Sequence, residues 1–262
     1  VWLDSHCHIS ADEFAEDRAE TLDRAEAAGV EAFVAIGSGY GIEHNARAVA
    51  LAQRDARVWA TVGVHPHEAS ELDEALRAKL EDWIGEPRVV AVGECGLDYH
   101  YMNSPRDVQR SVFVEQLALA RRHDKPVVLH VRGEEPNAFD EALELWQAAG
   151  GPALAGVLHC YTGTLEFAER ALAAGLFISF SGILTFKNDR GLRDTAKALP
   201  LDRLLVETDA PLLAPQGFRG RRNEPMHVGL VGEMLAATLG VDVAEVARRT
   251  THNARRLFRM DA

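Results

Sequence analysis

The sequence predicts an α/β protein folded as a (β/α)8 or TIM barrel, because eight short apolar runs recur along 262 residues with amphipathic segments between nearly all of them. The runs, rich in Val, Ile, Leu, Phe and Ala, are residues 1–5, 32–37, 58–64, 89–94, 126–131, 156–160, 176–181 and 203–208. Between them, apolar residues recur every three or four positions over 11–28, 42–54, 71–84, 107–123, 137–149 and 164–174, which is the spacing of a one-sided helix. Gly29 and Gly175 stand where helices of this kind stop. The tail, about 226–258, reads as helix again. Strands alternating with helices imply parallel β/α units. A closed barrel is favoured over an open doubly wound sheet because no glycine-rich phosphate fingerprint follows the first strand. With no linker, low-complexity tract or longer repeat, residues 1–262 are expected to form one domain.

Composition narrows the function classes. A net charge of -12 argues against a protein that coats nucleic acid nonspecifically, since that binding rests on many Lys and Arg contacts to phosphate. Two local basic groups remain, Arg219, Arg221 and Arg222 in one loop, and Arg248, Arg249, Arg255, Arg256 and Arg259 near the C-terminus. The second group sits beside Leu257 and Phe258, as on the solvated face of a packed helix. No uncharged apolar stretch approaches about 18 residues, so a soluble, cytoplasmic protein without a membrane partner is expected. Three cysteines cannot all pair and match no zinc or redox spacing. Strand alternation points Cys7, Cys95 and Cys160 away from their His and Glu neighbours, into the helix layer, as three buried and inert thiols.

Histidines and acids gather at strand ends. His6 and His8 end the first strand, Glu94 the fourth, His130 the fifth and His159 the sixth, and Asp209 follows the eighth. In a barrel these ends meet at one mouth, where active sites of this fold are built. His-x-His on a strand projects both rings to one side, where one cation can take both. Four His with two carboxylates form a nitrogen and oxygen donor set that suits Zn, Mn, Fe or Ni and tolerates Mg. Six protein ligands exceed what one catalytic ion takes while keeping a position open, so two divalent ions are expected with Glu94 between them. Such a pair activates water for a hydrolysis and clamps the attacking and leaving oxygens, and Asp209 can take the proton of the nucleophile.

Around this centre, His65-Pro66-His67 ends the third strand, with a proline that turns the chain, so the two rings need not share a side. His65 is expected to contact substrate. Arg132, two residues beyond His130, is placed to hold a phosphate oxygen, and Glu207, two before Asp209, to support a ligand. His44, His100, His123, His227 and His252 fall in helices or loops without partners and are read as surface or packing residues.

The chain resembles the TatD-type metal-dependent deoxyribonucleases, a branch of the amidohydrolase-like barrels. The resemblance is carried by Asp4-Ser5-His6-Cys7-His8, Gly63-Val64-His65-Pro66-His67 and Gly93-Glu94-Cys95-Gly96-Leu97-Asp98-Tyr99. It continues through His130-Val131-Arg132, His159-Cys160-Tyr161-Thr162-Gly163, Glu207-Thr208-Asp209-Ala210-Pro211 and Arg222-Asn223-Glu224-Pro225, covering nearly the whole length. It implies that His6, His8, Glu94 and Asp209 hold one metal and that Glu94, His130 and His159 hold the other. It further implies exonucleolytic hydrolysis of DNA at single-stranded ends with Mg or Mn, and places His65 and Arg132 near the substrate phosphate. Two departures stand out: Tyr161-Thr162 where the family usually has Phe-Ser, and the acidic segment Gly133-Glu134-Glu135-Pro136-Asn137 at the mouth. The alternative is an amidohydrolase-like enzyme cleaving an amide, ester or lactone in a small molecule. Many such enzymes bridge their metals with a modified lysine on the fourth strand, a place held here by Glu94.

Overall fold

Eight parallel strands lie side by side in sequence order, each paired with the next. They are β1 (Trp2–Cys7), β2 (Val30–Ala35), β3 (Val58–Val62), β4 (Val89–Asp98), β5 (Val127–Arg132), β6 (Gly156–Leu158), β7 (Leu176–Phe180) and β8 (Leu204–Val206). The chain is seen in a computed structural model that describes residues 1–133 and 137–260. The acidic departure at 134–137 lies outside the residues whose side chains are described. The first and last strands meet where Asp209 N–H donates to His6 O at 2.9 Å and His8 N–H donates to Ala210 O at 2.7 Å. These two bonds close the barrel directly beside the candidate ligands.

The connecting helices are α1 (Arg18–Ala27), α2 (His44–Arg54), α3 (Glu74–Ile84), α4 (Arg106–Arg122), α5 (Asn137–Ala149), α6 (Leu165–Ala173) and α7 (Leu192–Ala198), followed by α8 (Val228–Leu239) and α9 (Val243–Phe258). Their apolar faces pack on the outward side chains of the strands in one buried layer, which includes Trp2, Phe33, Phe113 and Trp146. A second cluster joins the inward residues Leu3, Val34, Val90, Val128, Val157 and Leu205 with Ala254, Leu257 and Phe258 of α9. The amphipathic end of α9 therefore seals the floor of the barrel. The polar mouth is left at the opposite end, where the strands finish.

Local chemistry explains where the elements differ from their expected bounds. The carbonyls of Ile9, Ser10 and Ala11 accept from the Arg18 guanidinium at 2.8, 3.2 and 3.1 Å, holding the loop after β1 open, so α1 begins at Arg18 rather than at residue 11. Gly240, in left-handed backbone with φ 69°, divides the tail into α8 and α9. The short α7 lacks a long periodic stretch and was not legible as a helix. Gly29 and Gly175 do end helices with positive φ. Among the described residues no helix is long and apolar enough to cross a membrane.

Candidate metal centre

Two irregularities in the sheet aim the central side chains. Leu3 and Ser5 face the barrel interior, with Ser5 Oγ 3.3 Å from Ser179 Oγ across β8, so unbroken alternation would turn His6 outward. Between Asp4, opposite Phe33, and Cys7, opposite Ala35, β1 carries one residue more than β2. That bulge resets the alternation. His6 and His8 enter the mouth while Cys7 Sγ lies 3.6 Å from Val34 O. On β4, Glu94 is the additional residue between Gly93, opposite Val128, and Cys95, opposite Leu129. Gly93 makes this approach possible, because its φ is +140° and a Cβ there would sit 2.6 Å from Val128 O.

The structure brings all six expected residues together, five of them buried and His130 nearly so. In one group, His6 Nε2 lies 3.4 Å from His8 Nε2, 3.4 Å from Glu94 Oε2 and 3.5 Å from Asp209 Oδ1. His8 Nε2 is 3.8 Å from Glu94 Oε2 and 3.4 Å from Asp209 Oδ1. Donor atoms bound at about 2.1 Å to one tetrahedral ion lie roughly 3.4 Å apart, so this spacing fits a single cation. Among the described residues the buried Nδ1 atoms of His6 and His8 have no hydrogen-bond partner, which leaves Nε2 as the ring atom with work to do. In the other group, Glu94 Oε1 lies 2.7 Å from both His130 Nδ1 and His159 Nε2, and those two nitrogens are 3.4 Å apart. Among the described residues, three sets of donor atoms converge closely enough to hold an ion, and Glu94 belongs to two of them: with His6 and His159, and with His65 and His130; the third is His6, His8 and Asp209.

Carboxylates behind the rings set their orientation. His130 Nε2 donates to Asp98 Oδ2 at 3.0 Å, and His159 Nδ1 donates to Glu207 Oε1 at 3.2 Å. Holding the proton on the outer nitrogen leaves a lone pair on the inner one, the arrangement a metal requires. Glu207 also accepts from Cys160 N–H at 2.7 Å, which pins the turn after β6. Burial works against charge on Glu94, yet the rings of His159 and His65 and the bonds from His130 and His159 hold its carboxyl well below the usual range. Asp209 is lowered in the same way by His8 and His6. Burial opposes protonation of His159, but Glu94 and Glu207 push it well above the usual value. So much negative charge in a buried place calls for cations, whether protons or metal ions.

His65 reaches the centre, with Nε2 3.4 Å from Glu94 Oε1 and 3.3 Å from His130 Nδ1. His67 bonds Asp98 Oδ2 at 2.8 Å, and its ring meets the His65 ring edge-on with centroids 4.4 Å apart, so Pro66 does not part the two rings. Arg132, exposed at the end of β5, lays its guanidinium 4.7 Å from the centre of the Tyr101 ring.

Two positioning groups escaped the sequence reading. Asp98 was overlooked because β4 was expected to stop at 94, although residues 94, 96 and 98 alternate onto one face. Asn223 donates from Nδ2 to Thr208 O at 2.9 Å and Leu212 O at 2.7 Å, clamping both sides of the loop that presents Asp209. The buried thiol expectation needs one correction. Cys160 lies past the end of β6 in left-handed backbone with φ 42°, half-buried beside Ser181, rather than facing the helix layer. Three of the five leftover histidines also have side-chain partners: His123 bonds Glu81 at 2.6 Å, His227 bonds Asn223 at 2.8 Å, and His44 is buried beside Arg47. The basic groups are largely neutralised. Arg222 is held by Asp17 and Glu224, Arg248 and Arg249 by Glu245, Arg255 by Glu31 and Arg259 by Asp124.

Comparison with known proteins places this geometry in context. A family model described as TatD related DNase matches residues 3–259. A metal-dependent hydrolase of Bacillus subtilis, YabD, described as uncharacterized, is 37% identical over 259 residues, 99% of each chain. A protein of Erwinia tasmaniensis named 3'-5' ssDNA/RNA exonuclease TatD is 39% identical over 264 residues, covering 98% of this chain and all of its own. Among solved structures, the TatD homologue YJJV of Escherichia coli superposes with a TM-score of 0.91 at 32% identity, over 98% of both chains.

Proposed function

This chain belongs to the TatD-related DNase family of metal-dependent hydrolases, and on that premise we propose that it removes nucleotides from single-stranded DNA ends with the help of two divalent ions. The observation that carries the reading is the division of Glu94, whose Oε2 faces His6 and His8 while its Oε1 faces His130 and His159. We assign His6, His8, Glu94 and Asp209 to one ion and Glu94, His130 and His159 to the other. Mg, Mn or Zn suits these donors. When bound, such a pair polarises a phosphoryl oxygen and lowers the pKa of water.

The protein's own groups then have distinct work. Asp209 engages His6 and His8 through Oδ1, so Oδ2 is the atom placed to take a proton from the attacking water. His65 accepts the His67 N–H at Nδ1, 3.1 Å away, which puts the proton of the neutral ring on Nε2. Burial lowers its pKa to about 4, so near neutral pH the ring offers an uncharged N–H donor towards a phosphate oxygen. We therefore keep His65 as a substrate contact. Arg132 supplies a guanidinium at the rim, and Asp98 and Glu207 hold His130 and His159 in register. The name of the Erwinia relative, a 3'-5' ssDNA/RNA exonuclease, supports both the nucleic-acid substrate and attack from the 3' end.

The test uses one single strand labelled separately at each end. The expected result is stepwise shortening from the 3' end with release of mononucleotides, abolished by a chelator and restored by Mn. An intact strand alongside rapid cleavage of a small ester or lactone would replace this reading with the small-molecule hydrolase.

A further inference from the structure

The turn after β4 carries two large apolar side chains into solvent beside the mouth, Tyr101 at 54% exposure and Met102 at 40%. A single exposed tyrosine is ordinary. This one is built into the centre. Asp98 Oδ1 accepts from Tyr101 N–H at 2.9 Å and from His100 N–H at 3.0 Å, while its other oxygen accepts from His67 and His130. One carboxylate thus fixes the turn and orients a residue of the metal centre. The Tyr101 ring meets His67 and His100 at nearly perpendicular angles, with centroids 5.6 and 4.7 Å away. Arg132 stands over it, and among the described residues that guanidinium pairs with no carboxylate. The result is a braced ring with open surface, next to an exposed guanidinium at the rim.

From this arrangement we infer that Tyr101 is a base-stacking platform, taking a nucleobase of the bound strand while Arg132 takes an adjacent phosphate. The inference rests on the nucleic-acid reading of the same site. Stacking needs only the π-face common to all bases, so the subsite tolerates sequence and selects unpaired strands, whose bases are free to leave one another. It also supplies affinity on a surface of net charge -12, where backbone attraction is weak.

The experiment measures binding of a fluorescent single strand with phosphorothioate linkages, which resist cleavage, to the metal-loaded full chain. Tyr101→Ala is expected to weaken binding about tenfold or more. Tyr101→Phe and Tyr101→Trp are expected to retain it. Scanning an abasic nucleotide along the strand is expected to find one position where the difference between wild type and Tyr101→Ala disappears. Bound metal and the circular-dichroism spectrum are expected to be unchanged in all three variants, which shows an intact centre. Equal affinity of wild type and Tyr101→Ala, or a loss that no abasic position removes, overturns the inference. Tight, Tyr101-dependent binding without cleavage of the natural strand leaves the platform standing and rejects the nuclease reading alone.

Discussion

Replacing Glu94 with glutamine is expected to lower kcat about ten-thousand-fold, ~5.5 kcal/mol in barrier, while leaving the barrel folded. The carboxylate sits between two sets of nitrogen donors with one oxygen committed to each. An amide offers one oxygen and one NH2, so whichever way it turns, one group of histidines faces donor hydrogens instead of an acceptor. It also removes the negative charge that compensates both cations. Metal content measured beside circular dichroism checks this: bound metal should fall sharply with the helical signal unchanged. A fully metal-loaded and active Glu94→Gln protein would deprive the bridging assignment of its basis.

The second large effect is expected at Asp209. Asp209→Asn should reduce kcat about a thousandfold, ~4 kcal/mol, by removing both a charged donor and the proton acceptor. The side chain is near-isosteric and its backbone is held independently, by the bond from Asp209 N–H to His6 O and by the Asn223 clamp on the loop. The thermal midpoint should therefore stay within about 5 °C of the parent. Steady-state kinetics on a single-stranded oligonucleotide and a melting curve read the two quantities separately. Near-normal turnover in a folded Asp209→Asn protein would move the proton acceptor elsewhere.

Much of this was visible before any coordinates. Strand-end position was sufficient to gather His6, His8, Glu94, His130, His159 and Asp209, because a parallel barrel leaves no other place for those ends to go. Period-two alternation was less reliable. At β1 an added residue was needed to bring His6 inward after Ser5, and such a bulge leaves no mark in a run of Asp, Ser, His and Cys. At β4 the expected strand stopped at Glu94, although pairing with β5 continues to Asp98 opposite Arg132. That shortfall hid Asp98, which ties together His67, His130 and the Tyr101 turn. The role of Asn223 has no mark in the sequence, since the carbonyls it clamps, of Thr208 and Leu212, lie across a loop. The arginine clusters were legible as surface, but not their ion pairs. Their partners Glu224 and Glu245 lie within four residues, but Asp17, Glu31 and Asp124 come from elsewhere in the chain.

The central claim is that six scattered side chains hold a pair of cations with Glu94 between them. Anomalous diffraction from crystals of the full chain grown with Mn tests it most directly. The account predicts two peaks about 3.5–4 Å apart, one among His6, His8 and Asp209, the other between His130 and His159, with a Glu94 oxygen on each. A single peak, or two peaks that do not share Glu94, would contradict it.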